Sequence, residues 1–377
     1  MKTLSFLCSA VAAVTCIPAN AATLFVSVNG LDSPTCGTSA SPCLTIQYAV
    51  DNRAANGDTV AISAGVFTEE VSISIPLTVS GAGEAKTFID GNNKGIVFTI
   101  NSTVTVEHLT LQHGRTINCG AGLVNNATAT LRHVTVTNNS APNSDVGEGL
   151  AGGVCNNGTM SIEQSTISSN NAEEAGGIYN LGSQLVINQS TISFNSTGSF
   201  GGGIESFGPM AMINSTIYGN SSIYGGGIDN HNVLTIYNCT MTNNSALTAG
   251  GIFSDPVVNG PIYIWNSILS GNSGSYASPD CIGTLTSEDY NQIGTTSGCA
   301  ITLAPHDTVG AALLLGPLQN NGGPTFTLKP GAGSPAINGG NPAGCAGPDA
   351  TILTVDQRGA PRDVPPCDAG SVEVHGN

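Results

Sequence analysis

Apolar residues along most of this chain alternate with polar ones at a period of two, and the alternating stretches recur at intervals of about 25 residues. One apolar column runs Val106, Leu131, Ile162, Ile187, Met212, Ile236 and Ile264, and a second runs Leu111, Val136, Ile167, Ile192, Ile217, Met241 and Leu269. A period of two marks half-buried strands. No such strand buries its apolar face alone. Stacking successive turns about 4.8 Å apart sets like residue on like residue and closes a continuous core. Gly-Gly followed by an aliphatic residue punctuates the pattern at Gly152-Gly153-Val154, Gly176-Gly177-Ile178, Gly202-Gly203-Ile204, Gly226-Gly227-Ile228 and Gly250-Gly251-Ile252. The second glycines lie 24, 26, 24 and 24 residues apart. Turns of this length with two or three short strands predict an all-β chain, a right-handed parallel β-helix solenoid.

A polar column accompanies the apolar ones: Asn139, Asn170, Asn195, Asn220, Asn244 and Asn272. Asparagine tolerates the left-handed backbone of a sharp bend, and its amide bonds backbone or a stacked amide. These residues are expected inside one corner of the coil, with a shorter ladder at Asn125, Asn156, Asn180, Ser206, Asn230 and Ser254. The repeat generates Asn-x-Ser/Thr patterns such as Asn195-Ser196-Thr197 by itself, so these carry little weight as glycosylation signals. Before the repeats, Phe25 to Val28 reads as a strand, and Ile46, Ala49, Val50 and Ala54 fall at helical spacing. Residues 22–57 are therefore expected to supply a strand and a short helix capping the open end, where a bare edge invites aggregation. The solenoid is expected over 58–275 and a loop-rich C-terminal module over 276–377.

Residues 1–21 read as a secretory signal, with Lys2, an apolar run from Leu4 to Ile17, and Ala19-Asn20-Ala21 as the cleavage pattern. The apolar run is too short to span a bilayer of about 30 Å. Export suits disulfides, and Cys36 with Cys43, Cys281 with Cys299, and Cys345 with Cys367 are local pairs in loop-like sequence. Cys119, Cys155 and Cys239 are odd in number, which leaves at least one thiol free; Cys239 stands where other repeats carry Ser. The formal net charge of −16 disfavours a nucleic-acid partner, since phosphate contacts need Lys and Arg.

The Gly-Gly-aliphatic motif followed by x-x-Asn, as in Ser193-Phe194-Asn195, resembles the repeats of polymorphic outer-membrane proteins, within the pectin-lyase-like superfamily. The C-terminal segments Gly316 to Thr325, Gly333-Ser334-Pro335-Ala336-Ile337, Asp356-Gln357-Arg358-Gly359 and Cys367-Asp368-Ala369-Gly370 are similar to the choice-of-anchor Q domain. Members usually carry a sorting anchor after this module. Here the sequence ends at Asn377, which leaves the means of retention open.

Pectin-lyase-like folds include lyases and hydrolases, so catalysis has to be weighed. Lyases of the fold use a basic residue beside Ca²⁺-binding carboxylates, and no Lys or Arg occurs between Arg132 and Lys329. Arg132 shares an outward column with Glu107 and Glu163, which reads as a charge ladder. Glu205 and Asp229 follow the repeat aliphatic in neighbouring coils and should stack about 5 Å apart. That spacing suits a retaining glycosidase pair or a Ca²⁺ site; equally, both are exposed residues on a solvated face. Tyr179 and Phe253 flank them in the same column, with His231 close by. A second acidic group, Asp145, Glu148, Glu173 and Glu174, sits in loops before two Gly-Gly motifs and offers oxygen ligands for Ca²⁺. Tyr237 and Trp265 are stacked outward neighbours: either a sugar platform or a surface under the C-terminal module. The outward Thr110, Thr135, Thr166, Thr191, Thr216 and Thr240 form a ladder of the kind seen on ice-binding solenoids, interrupted in its companion column by Gln112, Tyr218 and Ser270. The expectation is a secreted or cell-surface, non-catalytic β-helix for adhesion or glycan binding, with polysaccharide or another cell surface as partner. A polysaccharide-degrading enzyme is the alternative.

Overall fold

A computed structural model describes residues 21–142, 149–254, 260–275, 279–362 and 366–375. The chain winds into a right-handed parallel β-helix, and each strand pairs in parallel with its equivalents one coil before and one coil after. Each repeat coil has three faces. The first is a short strand such as Ile204–Ser206, directly after the glycines. The second is longer and bent at its middle, as in Met210–Ile213 followed by Thr216–Tyr218. The third is Ser221–Tyr224 and its equivalents, which form a separate six-stranded sheet. Both apolar columns stack residue on residue as the sequence predicts, with Ile187 on Met212 on Ile236 and Ile192 on Ile217 on Met241, all buried.

Tight corners explain the polar column and the glycines together. Asn220 Nδ2 donates to Asn244 Oδ1 at 2.9 Å and to the Ile192 carbonyl at 3.0 Å. Its Oδ1 accepts from the backbone N–H and the Nδ2 of Asn195, both at 3.0 Å. The same set recurs from Asn139 to Asn272, so corner groups that would otherwise be buried unpaired are satisfied. Asp280 ends the ladder by accepting from Asn272 Nδ2 at 2.9 Å. A Cβ on Gly203 would stand 2.5 Å from the Gly227 carbonyl and 3.2 Å from the Asn220 side chain, so the second glycine makes room for the ladder and the next coil. The ladder asparagines are not the left-handed residues of this corner. The residue before each one takes that conformation, for example Asn138 at φ 55°, Ser169 at 57° and Phe194 at 56°. The shorter ladder runs by side-chain bonds from Asn125 through Asn156 and Asn180 to Ser206.

The bend of the second face is a further left-handed column: His108, His133, Gln164, Gln189, Asn214, Asn238 and Asn266 have φ between 45° and 57°. Serines follow it and bond the coil before, as Ser190 N donates to Ser215 Oγ at 3.1 Å. Cys239 takes one of these places, buried and unbridged.

At the N-terminal end the strand covers Thr23–Val26 rather than Phe25 to Val28, and the helix covers Ile46–Asn52. Thr45 caps it by accepting from Tyr48 N, and Glu69 accepts from the N–H groups of Ile46 and Gln47, at 2.9 Å each. Ile46, Ala49 and Val50 are buried against the core residues of the first coils. At the other end parallel stacking continues past 275, through Cys281–Ser287 and Cys299–Thr302 to Thr308–Val309.

The remaining C-terminal residues fold back along the second face. The outward side chains of the left-handed bend column hold them there: Gln189 donates to the Asp356 carbonyl at 2.8 Å, Asn214 to Val355 at 3.0 Å, Asn238 to Ala346 at 2.8 Å and Asn266 to Asp368 at 3.1 Å. Gln357 lies over the threonine column, accepting from Thr216 Oγ1 at 2.6 Å and donating to Thr191 Oγ1 at 2.9 Å. Thr191, Thr216 and Thr240 are thereby buried, so this stretch of the ladder is not an open flat array.

Four disulfides lie among the described residues: Cys36–Cys43, Cys281–Cys299, Cys345–Cys367 and Cys119–Cys155. The last links adjacent coils, because Cys155 sits on the outward side of the first face beside the Cys119 loop. Four disulfides fit an extracellular setting. No helix among the described residues is long and apolar enough to cross a membrane. The expected signal lies, apart from Ala21, outside the described residues.

Candidate functional site

The first face carries its middle residue outward, and the register stacks Tyr179 on Glu205 and Glu205 on Asp229, with Phe253 next. This is the predicted column. Its carboxylates are not exposed, however: Glu205 is 3% and Asp229 0% exposed, which overturns the reading of a solvated face. Rings flank the pair in the column, Tyr179 beside Glu205 and Phe253 beside Asp229. Phe207 stacks on His231 with centroids 4.2 Å apart and tilts toward Tyr179, while Tyr224 packs between Phe200 and Phe253.

His231 Nε2 lies 3.3 Å from Asp229 Oδ2 and 3.9 Å from Glu205 Oε1. Among the described residues, Glu205 Oε2 and Asp229 Oδ1 have no hydrogen-bond partner, and Asp229 Oδ2 has only the His231 imidazole beside it. Burial, then the neighbouring Asp229, then Glu174 push the Glu205 carboxyl up to about 9. Burial also raises Asp229, against the pull of His231. Glu174, assigned from sequence to a separate acidic group, thus shares the electrostatic field of the pair. Asp145 and Glu148 of that group lie outside the described residues, and Glu173 and Glu174 do not join a cluster of three metal-ligating groups among those described.

Tyr237 and Trp265 stack at 5.6 Å, both half-buried, beside Asn238 where the C-terminal residues dock. Arg132 bonds Glu163 at 3.0 Å in the expected charge ladder.

A second site is absent from the sequence reading. Where the C-terminal residues meet the second face they enclose a cleft of about 330 Å³, with Thr135, Thr166 and Ser193 on the solenoid wall and Leu318, Pro324 and Phe326 opposite. Thr191 Oγ1 donates to the Phe326 carbonyl at 2.7 Å, and Thr325 Oγ1 to the Gln189 carbonyl at 3.3 Å, which fixes this outer wall. Two rings stand open at the cleft, Phe194 at 54% and Phe326 at 55% exposed. Phe194 holds its left-handed φ of 56°, uncommon for a bulky residue, and its ring lies over Gly219 and edge-on to Tyr218. Glu84 closes one end, accepting from Thr135 Oγ1 at 3.1 Å; burial raises its carboxyl above the ordinary value. Phe194 was visible in the repeat. Its partner wall was not, because it lies more than 120 residues away in sequence.

The C-terminal residues also return cations to coils that have none of their own. Arg362 reaches Asn214 Oδ1 at 2.7 Å and pairs with Glu373 at 3.1 Å, both side chains fully buried, and Arg358 pairs with Asp356 at 2.7 Å. Both guanidinium groups are held in ion pairs of the docked segment.

No protein-family model matches the chain, and no curated protein matches it. Among solved structures it is similar to pectate lyase Pel9A at 13% identity and a TM-score of 0.48, covering 94% of this chain and 96% of that one. It is also similar to pectin methylesterase PemA from Erwinia chrysanthemi, at 11% identity and a TM-score of 0.34 over 75% of this chain and 81% of that one. A rice weevil pectin methyl esterase gives 14% and 0.33, over 74% and 84%. At these identities and scores the overlaps carry no argument about chemistry.

Proposed function

We propose that this chain is a secreted or surface-held, non-catalytic β-helix protein that binds a glycan chain in the cleft between the threonine face and the docked C-terminal residues. The cleft itself carries the reading. Hydroxyls of Thr135, Thr166 and Ser193 line it together with two exposed phenyl rings, Phe194 on the solenoid side and Phe326 on the opposite wall, and a sugar presents hydroxyls on its rim and C–H groups on its faces. In this reading the choice-of-anchor Q-like module serves as one wall of the binding site, and the polymorphic-outer-membrane-protein-like repeats supply the rigid floor. The four disulfides support export.

The hydrolase alternative rests on Glu205 and Asp229, and their burial weighs against it. A retaining pair has to reach a sugar ring from both sides, whereas these carboxylates lie side by side in one column and are buried. Affinity electrophoresis through gels cast with a panel of acidic and neutral polysaccharides tests the proposal. At least one polysaccharide should retard the wild type, and Phe326→Ala should lose the retardation while keeping the fold. Retardation unchanged in both Phe326→Ala and Phe194→Ala contradicts it.

A further inference from the structure

The acidic column of the first face has no part in the cleft, and its chemistry is unusual in its own right. We propose that Glu205, Asp229 and His231 form a site for one divalent transition-metal ion of the Zn²⁺ class. A carboxylate oxygen from each acid and one imidazole nitrogen lie within 4.8 Å of one another. Asp229 is 0% exposed and Glu205 3%, yet among the described residues Asp229 Oδ1 and Glu205 Oε2 have no hydrogen-bond partner, and Asp229 Oδ2 has only His231. Buried carboxylates are ordinarily paired or bound to a metal, because leaving them bare forfeits their hydration. The arginines that the docked C-terminal segment brings back to the coils do not fill this place, since Arg358 and Arg362 are engaged by Asp356 and Glu373.

Donor type selects the ion. Ca²⁺ takes about six to eight oxygen ligands. Two carboxylates with one imidazole instead match the three-ligand sites of Zn²⁺ and its neighbours, which leave a further position for water. With its proton on Nδ1, His231 presents the Nε2 lone pair to both acids, and the Phe207 ring stacked on the imidazole fixes its plane. His231 is partly open to solvent, which gives the ion a way in. The other ways to neutralise two stacked carboxylates are a proton shared between them and a protonated His231 paired with both, and the experiment separates these from a metal ion.

The full chain, stripped with a chelator, is titrated with Zn²⁺, Mn²⁺ and Ca²⁺ while metal content and thermal unfolding are followed. One Zn²⁺ per chain should bind and raise the melting temperature, with no comparable shift from Ca²⁺. His231→Gln, at the solvent-facing edge where folding is least at risk, should weaken Zn²⁺ binding by about tenfold or more. Glu205→Gln should weaken it similarly, and bound Co²⁺ should lose its visible absorption bands in both variants. Absence of stoichiometric Zn²⁺, equal affinity in the wild type and His231→Gln, or a preference for Ca²⁺ overturns the proposal.

Discussion

Replacing Asn220 by Ala perturbs the solenoid at one defined point. The side chain makes four hydrogen bonds, two donated and two accepted, and is fully buried. Two of the stranded groups keep a second partner: Asn195 Nδ2 still bonds the Ile167 carbonyl, and Asn244 Oδ1 still accepts from Asn220 N. The Asn195 backbone N–H loses its side-chain acceptor. A buried donor left unmade costs about 1–3 kcal/mol, and the remaining lost bonds bring the total to about 2–4 kcal/mol. At a slope of about 2 kcal/mol per molar, the urea midpoint falls by roughly 1–2 M. Solenoids lose stability locally, so hydrogen exchange should show the Asn195 amide deprotected together with its neighbours in the adjoining coils. Asn171→Ala is the control: its exposed side chain bonds only Ser196 among the described residues, and its loss should cost less than about 0.5 kcal/mol. Equal midpoints for the two variants would refute the corner argument.

Two further perturbations probe the docked C-terminal residues and the cleft. Arg362→Met strands the buried Glu373 and should cost about 3–5 kcal/mol locally, enough to free the segment. Limited proteolysis should then cut between 310 and 375 much faster than in the wild type while the solenoid survives, and an unchanged cleavage rate argues against the clasp. Glu84 has its folded pKa raised by burial, so the folded state holds its proton more tightly than the unfolded chain does. Its contribution is fully present below the unfolded value near 4.5 and is lost as pH rises through the folded one. Glu84→Gln should therefore flatten the fall in stability as pH rises above about 4.5, read from melts at a series of pH values; an unaltered slope contradicts it.

The solenoid was legible because its physics is periodic. Every coil solves the same burial problem, so Ile187, Met212 and Ile236 can be aligned by eye, and the six asparagines mark one corner. Fine placement inside that corner was less legible: the left-handed backbone belongs to the residue before each ladder asparagine, where side chains as different as Asn138, Ser169 and Phe194 stand. Register also predicted the stacking of Glu205 on Asp229. Burial of the pair did not follow from register, because register fixes the neighbours within the column and not what packs over an outward face. The cleft and the returning arginines were hidden for a different reason. They arise from contacts such as Thr191 with Phe326 and Asn214 with Arg362, between segments with no shared periodicity.

Hydrogen exchange of the intact protein, with and without a saturating oligosaccharide from the best-retained polysaccharide, tests the central claim most directly. The same samples are assayed for cleaved sugar. Glycan binding in the cleft predicts added protection at residues 166–194 and 318–326, none at 205–231, and intact oligosaccharide at the end. Protection centred on 205–231 with release of reducing ends, abolished by Glu205→Gln, would contradict the account and establish a hydrolase.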